Sequence, residues 1–477
     1  MTPTEAASTA PPADATALAE AVRHGETSAL ALMQASIARA KSDPFGALRH
    51  IDEAMGLEAA EAFDKRLADK DQHALNAPFA GVPFLAKDLG NVARGLPAHA
   101  GAPALAARLP LPEADSLVFE RFRHCGLLPF GVTTTPEFGL ALTSEPPGGP
   151  IARNPWNPDY SPGGSSGGAA SAVASGIVAI AHATDAAGSI RVPAACCGLV
   201  GLKPSRGLVP NAPDFDNHLM GVTGELVLAR SVRDIRAALV AVSGHTQGPY
   251  GEVTLSGVPV KGMTIGLVDT APAGLGDEEA EALRTLAPLL EAQGNTIIEI
   301  DVAALDRLAA EAAACDRACL SVSQAAWLDA LHIPDEEVSP VIAAAAAEGR
   351  AMSAARFFAN DTQMARIAHG CWRLFDGIDA IVMPMLAGGP PKIGAMPPDR
   401  TDLDAAWRQM AEIAPRAPLA NVAGIPAISL PRGLSRAGLP LSVQLIGPIG
   451  ADLLLLDIAQ HIEAEAPWTY PAELATA

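Results

Sequence analysis

Residues Ser161 to Pro204 constrain this chain more than any other stretch. They read SPGGSSGGAASAVASGIVAIAHATDAAGSIRVPAACCGLVGLKP. Two polar islands, Gly163–Gly168 and Thr184–Arg191, stand in otherwise small and apolar sequence. Glycine packed around serine lets the backbone bend sharply and lets a second molecule approach the main chain closely. That suits a hydroxyl that must meet a carbonyl carbon while main-chain N–H groups face a developing oxyanion. Ser189 follows Ala186, Ala187 and Gly188, whose small side chains leave such N–H groups free to converge.

A base is sought among the lysines. Phe79 to Leu89 is apolar and runs into Lys87-Asp88, which reads as a buried strand ending at a charged pair. A lysine beside an aspartate ordinarily sits at the surface. The run before this one (Val82, Phe84, Leu85, Ala86) argues for burial, which disfavours the ammonium form and makes a usable base. The other six lysines fall in charged or loop-like contexts.

Together these residues resemble the amidase signature family. Its pattern has a GGSSGG loop, a small-residue helix and D-x-[GA]-x-S-[IVLM]-R-x-P, matched here by Gly163 to Gly168 and Asp185 to Pro193, with Ser165 and Ser189 separated by 24 positions. Gly81 to Asp88 is similar to its GVP-x-x-x-KD block, Asn421 to Ala427 to its NxxGxPA block, and Leu439 to Leu445 to its LPxxxQ block. The resemblance implies Ser189 as nucleophile, Ser165 as a bridging serine at a cis peptide bond, and Lys87 as the ultimate base. It implies an oxyanion site at Ala186, Ala187 and Gly188, with Ala187 where the family usually has glycine. Asp185 and Arg191 would pair to brace the loop, and Ser166 would support it by a hydrogen bond. Thr135, Phe138 and Gly139 would line the substrate side, where Val132 and Thr134 replace the family's usual Lys and Asn.

The implied fold is α/β: a mixed, twisted central sheet of about 10–11 strands sandwiched between helical layers. The implied chemistry is cofactor-free, metal-free hydrolysis of amide C–N bonds in a small molecule, with carbamates and esters left open. Within the family, Thr143–Pro146, Arg153–Asn157, Asp185–Ser189 and Ser231–Ile235 are similar to 6-aminohexanoate-cyclic-dimer hydrolases. Cys315 falls where a thiol lines the pocket in that group. The similarity suggests small linear or cyclic amides, nylon-type oligomers or urethanes among them. Two alternatives remain at this point: the glutaminase subunit of a tRNA-dependent amidotransferase, and a non-catalytic binding protein on the same scaffold.

Composition trims the rest. Lys plus Arg number 33 against 53 Asp plus Glu, a net charge of -20. Such a field repels nucleic acid and anionic membranes. The first residues lack the basic and apolar regions of a signal peptide, and no apolar run spans a bilayer, so a cytoplasmic protein is expected. Six cysteines, with Cys196-Cys197 adjacent and Cys315/Cys319 at helical spacing, suit buried thiols in a reducing compartment. The length of 477 residues alone favours several domains, but the resemblance implies one domain over 15–470 behind a disordered tail, 1–14. It also allows a homodimer.

Gly163-x-Ser165-x-Gly167 formally fits a nucleophile elbow. The Asn154–Pro162 stretch before it is too proline-rich for the strand that motif requires. Periodicity predicts helices over Ala15–Lys41 (broken at Gly25–Thr27), Leu57–Asp69, Ser116–Cys125, Asp277–Gln293 and 302–376 (broken near Pro334). Strands are predicted at Leu127–Val132, Gly262–Val268, Thr296–Ile300, Ile378–Pro384, Ala427–Pro431 and Leu441–Ile446. A loop is predicted over 246–258 and a Gly/Pro-rich lid over 387–403.

Overall fold

The protein is described by a computed structural model covering residues 13–210, 218–245, 253, 255 and 262–471. Among the described residues eleven strands form one mixed sheet. They are β1 (Leu48–Ile51), β2 (Val82–Lys87), β3 (Leu127–Thr133), β4 (Ile180–Asp185), β5 (Val200–Lys203), β6 (Gly224–Ala229), β7 (Thr264–Leu267), β8 (Thr296–Glu299), β9 (Ala380–Pro384), β10 (Ala427–Leu434) and β11 (Pro440–Ile446). Across the sheet they run β1-β3-β2-β4-β6-β5-β10-β11-β9-β7-β8. β2 is parallel to β3 and β4, β7 is parallel to β8 and β9, and the remaining neighbours are antiparallel.

Every residue of β2, β3, β4, β9 and β11 is buried. Successive side chains point to opposite faces, so both faces of the central sheet are covered. Continuous apolar runs such as VPFLAK and LLPFGVT suit that setting. The expected α/β fold with a large mixed sheet is therefore the fold observed.

Local chemistry explains where helices start and stop. Asp14 caps Ala15–His24 by accepting the Ala17 N–H, and Gly25 ends it in the left-handed conformation. Ser28 then caps Ala29–Lys41. Asp14 also accepts from Ser231 and Arg233, so it is fixed in the fold, contrary to its assignment to a disordered tail. Residues 1–12 of that tail, and most of the loop predicted over 246–258, lie outside the described residues.

Other expectations shift for identifiable reasons. The helix predicted from Leu57 begins at Glu53, because Asp52 caps it. The helix predicted over Asp277–Gln293 divides into Asp277–Arg284 and Ala287–Ala292, with Pro288 opening the second. β10 continues past Pro431 to Leu434 through a register shift against β11. The strands β1, β4, β5 and β6 carry no sequence-based expectation of their own.

Helix Gly167–Ala174 is wholly buried and packs on β4. A Cβ added at Gly168 would strike the Thr134 main chain and the Ala47 carbonyl, so only glycine admits this approach. The helix thereby sets the Gly163–Ser166 loop at the carboxyl end of β2 and β4.

Candidate active site

Lys87 is the last residue of β2 and is 1% exposed. Its Nζ donates to Ser165 Oγ at 2.8 Å and to Thr184 Oγ1 at 2.7 Å. Burial pulls the amine down to about 7, against the opposing pull of the Glu225, Asp185 and Asp88 carboxylates, in that order. A neutral amine is therefore well populated near neutral pH.

Lys203 corrects the reading of the remaining lysines. It is buried at the end of β5, and burial likewise lowers it to about 7. Its Nζ donates to the Pro204 carbonyl and not to a hydroxyl of the site. Contact with Ser165, more than burial, distinguishes Lys87.

The Gly164–Ser165 peptide bond is cis. Thr135 Oγ1 donates to the Ser165 carbonyl at 2.8 Å. Ser144 Oγ donates to the Gly163 carbonyl at 3.1 Å and accepts the Gly167 N–H at 3.0 Å. Ser166 Oγ donates to the Thr184 carbonyl at 3.2 Å, tying the first polar island to the strand that bears the second.

Asp185 closes β4, and its carboxylate organises the turn that follows. Oδ1 accepts the Gly188 N–H at 2.7 Å, and Oδ2 accepts the Ile190 N–H at 3.1 Å. Arg191 Nε meets Oδ2 at 2.9 Å, with both side chains fully buried. Arg191 also donates to Gln444 Oε1 and Asn421 Oδ1, and Asn421 Nδ2 returns a bond to Asp185. Burial pushes the Asp185 carboxyl up, but the Arg191 charge and the bonds from Arg191 and Asn421 outweigh it and hold it well below its ordinary range. Removing one partner strands the other charge in the interior. Asp185→Asn is expected to lower stability by about 3–5 kcal/mol, read as a fall in the thermal midpoint; an unchanged midpoint would contradict the bracing role.

Ser165 and Ser189 open onto one cavity with a free volume of about 60 Å³. Among the described residues no hydrogen bond joins the two hydroxyls. Ala186, Ala187, Phe138 and Gly139 line the cavity. Three other expectations need correction. The Gly188 N–H is spent on Asp185, so it faces away from any oxyanion. Thr135 supports the Ser165 loop from outside the cavity wall. Cys315 is buried in an apolar cluster with Cys319 and Met364 and does not line the cavity.

Helical geometry accounts for Cys315. Helix Val302–Ala330 turns Leu320, Ser323, Gln324 and Trp327 to the cavity, spaced at i, i+3, i+4 and i+7. Extending that stripe toward the N-terminus reaches position 316, not 315. Trp407 and Met410 complete the wall from helix Leu403–Ile413, which directly follows the predicted lid. The preceding loop is tied down by bonds from Gly394 N to Glu145 and from Ile393 N to the Asp159 carbonyl. Among the described residues no charged side chain lines the cavity.

Sequence reasoning assigned no role to Thr184, Asn421, Gln444 or Gln324. The first three lie inside motifs that were legible, and Gln324 has only its helical phase to reveal it.

A mixed sheet of eleven described strands that brings two serines to one small apolar cavity, with a buried lysine bonded to one of them, has the architecture of the amidase signature hydrolases. The chain belongs to that family: the Amidase family profile matches residues 31–456. It is a hydrolase of carbon–nitrogen bonds other than peptide bonds. It is 34% identical to the 6-aminohexanoate-cyclic-dimer hydrolase of Paenarthrobacter ureafaciens, over 95% of each chain. The enzyme of that name from Pseudomonas sp. (strain NK87) is also 34% identical over 95% of each. The solved structure of a 6-aminohexanoate cyclic dimer hydrolase complexed with substrate superposes with a TM-score of 0.85 at 32% identity, covering 97% of this chain and 99% of that one. Among the described residues no helix is long and apolar enough to cross a membrane.

Proposed function

We propose that this chain hydrolyses small uncharged amides, linear or cyclic, through an acyl-enzyme on Ser189. The observation that carries the reading is the bond from buried Lys87 Nζ to Ser165 Oγ, in the wall of the cavity that Ser189 also lines. Ser189 attacks the carbonyl carbon and gives its proton to Ser165 Oγ, which passes its own proton to neutral Lys87. The proton returns along that path to the leaving nitrogen. Water then repeats the sequence and releases the acid. With the Gly188 N–H committed to Asp185, the oxyanion falls to the main chain of Ala186, Ala187 and Ser189 itself.

The wall supports a neutral substrate. Glutamine, with two charges at its α-carbon, would meet no countercharge among the described residues of that wall, which disfavours the glutaminase alternative. Gln324 Oε1 and Thr223 Oγ1 are buried on this cavity and have no hydrogen-bond partner among the described residues. A hydrogen-bonding group beyond the scissile amide would satisfy them. The 6-aminohexanoate cyclic dimer that names the two relatives is the first substrate to try.

The test needs no guess about substrate. Intact-mass spectrometry after exposure to a small fluorophosphonate should show one adduct, mapped to Ser189. An adduct confined to any other residue would refute the assignment.

A further inference from the structure

Behind Lys87 lies a set of polar groups that this chemistry does not use. Glu225 of β6 pairs in register with Thr184 of β4, and His182 lies two residues before Thr184. Alternation puts these three side chains on one face, the face that meets Lys87. His182 and Glu225 are both fully buried.

The bonds among them run in one direction. The Lys87 main-chain N–H donates to His182 Nδ1 at 3.3 Å. That acceptor role places the ring proton on Nε2, which donates to Glu225 Oε2 at 3.0 Å. Asn91 donates its main-chain N–H to Oε1 and its Nδ2 to Oε2, each at 3.0 Å. Phe119 and Phe122 pack edge-on to the imidazole, with ring centroids 4.9 and 6.0 Å away. Gly90, at φ 114°, brings the chain so close that a Cβ there would strike Glu225 and Thr184. A buried carboxylate held by three N–H donors, directly across the strand pair from the lysine's own partner Thr184, is a built feature.

We propose that Glu225 is a positioning residue for the reaction: through His182 and Asn91 it fixes the end of β2, and its buried negative charge sets the pH range in which Lys87 can act. The proposal rests on the reading of Lys87 as base. Among the described residues Glu225 from β6, Asp185 from β4 and Asp88 from the lysine's own segment are the carboxylates that act on Lys87, and the pull of Glu225 is the strongest of the three. Ser165, Thr184 and His182 face it uncharged. The carboxylates favour the ammonium, and burial favours the amine. Removing the Glu225 charge lets burial win by more, so the amine becomes neutral at lower pH and is a weaker base.

The experiment follows the pH dependence of fluorophosphonate labelling at Ser189 (phosphonylation with loss of fluoride), and of kcat/KM on a neutral amide, in Glu225→Gln and Glu225→Asp. The amide variant should move the acidic limb to lower pH by about one unit and lower the plateau a few-fold. The aspartate variant, with its charge drawn back by one methylene, should move the limb part of the way. A limb that stays in place, or moves upward, in either folded variant overturns the proposal, because a purely structural role lowers the rate evenly at all pH values. Absence of labelling in the unaltered protein would instead refute the reading of Ser189 and Lys87.

Discussion

Ser189→Ala is expected to lower kcat/KM on a neutral amide by about 10⁴–10⁶-fold, the scale seen when a serine nucleophile is removed from a site whose members act as a unit. The reasoning is local. Ser189 is 6% exposed and lies where the small-residue turn after β4 meets the cavity. The neighbouring Ser165 hydroxyl is engaged by Lys87. Ser323 also reaches the cavity, but it comes from helix Val302–Ala330, away from the turn whose main chain would receive the oxyanion. Because the Ser189 hydroxyl makes no hydrogen bond among the described residues, its loss should leave the thermal midpoint unchanged. Loss of activity at constant stability separates removal of the nucleophile from collapse of the loop. Substantial amidase activity in the alanine variant would sink the assignment.

The parts of this site that were legible in the sequence are those where backbone constraint and chemistry coincide. The two Gly/Ser islands had to be small because helix Gly167–Ala174 and the turn at Gly188 pack with no room for side chains. Lys87 was legible because an apolar strand ran directly into it. Asn421 and Gln444 could be placed in motifs, yet their work (completing the Arg191 shell) appears only once β10 and β11 bring their segments beside β4's turn. β4 and β6 escaped notice for a physical reason. His182, Thr184 and Asp185 break up β4, and Gly224 and Glu225 open β6, which leaves it only the four-residue apolar run Leu226–Ala229. Each of these polar residues is tolerated because a neighbouring element supplies its partner: β6 for His182, β2 for Thr184, β4 for Glu225, and Arg191 with Asn421 for Asp185. The cavity wall was the least legible part. Its stripe on helix Val302–Ala330 mixes Leu320 and Trp327 with Ser323 and Gln324 inside an alanine-rich segment, which leaves no periodic signal for specificity.

Lys87→Ala should reduce kcat/KM by about 10²–10⁴-fold, the range for loss of a positioned general base, and its pH profile should identify the cause. In the unaltered enzyme only the neutral amine accepts a proton. With Lys87 near 7, activity should climb as pH rises toward that value and flatten above it; two units below, only about one amine in a hundred is neutral. In the variant no such group titrates, and hydroxide is the remaining base, so residual activity should keep climbing at alkaline pH. The deficit is therefore constant and largest below about pH 7 and narrows above it. Rates measured from about pH 5 to about pH 9 would expose both shapes. A variant whose profile stays parallel to the parent's across the whole range, with the same bend, would show that the bend belongs to another group. The buried Lys203, lowered to a similar value but bonded among the described residues to the Pro204 carbonyl alone, would be the first group to examine in that case.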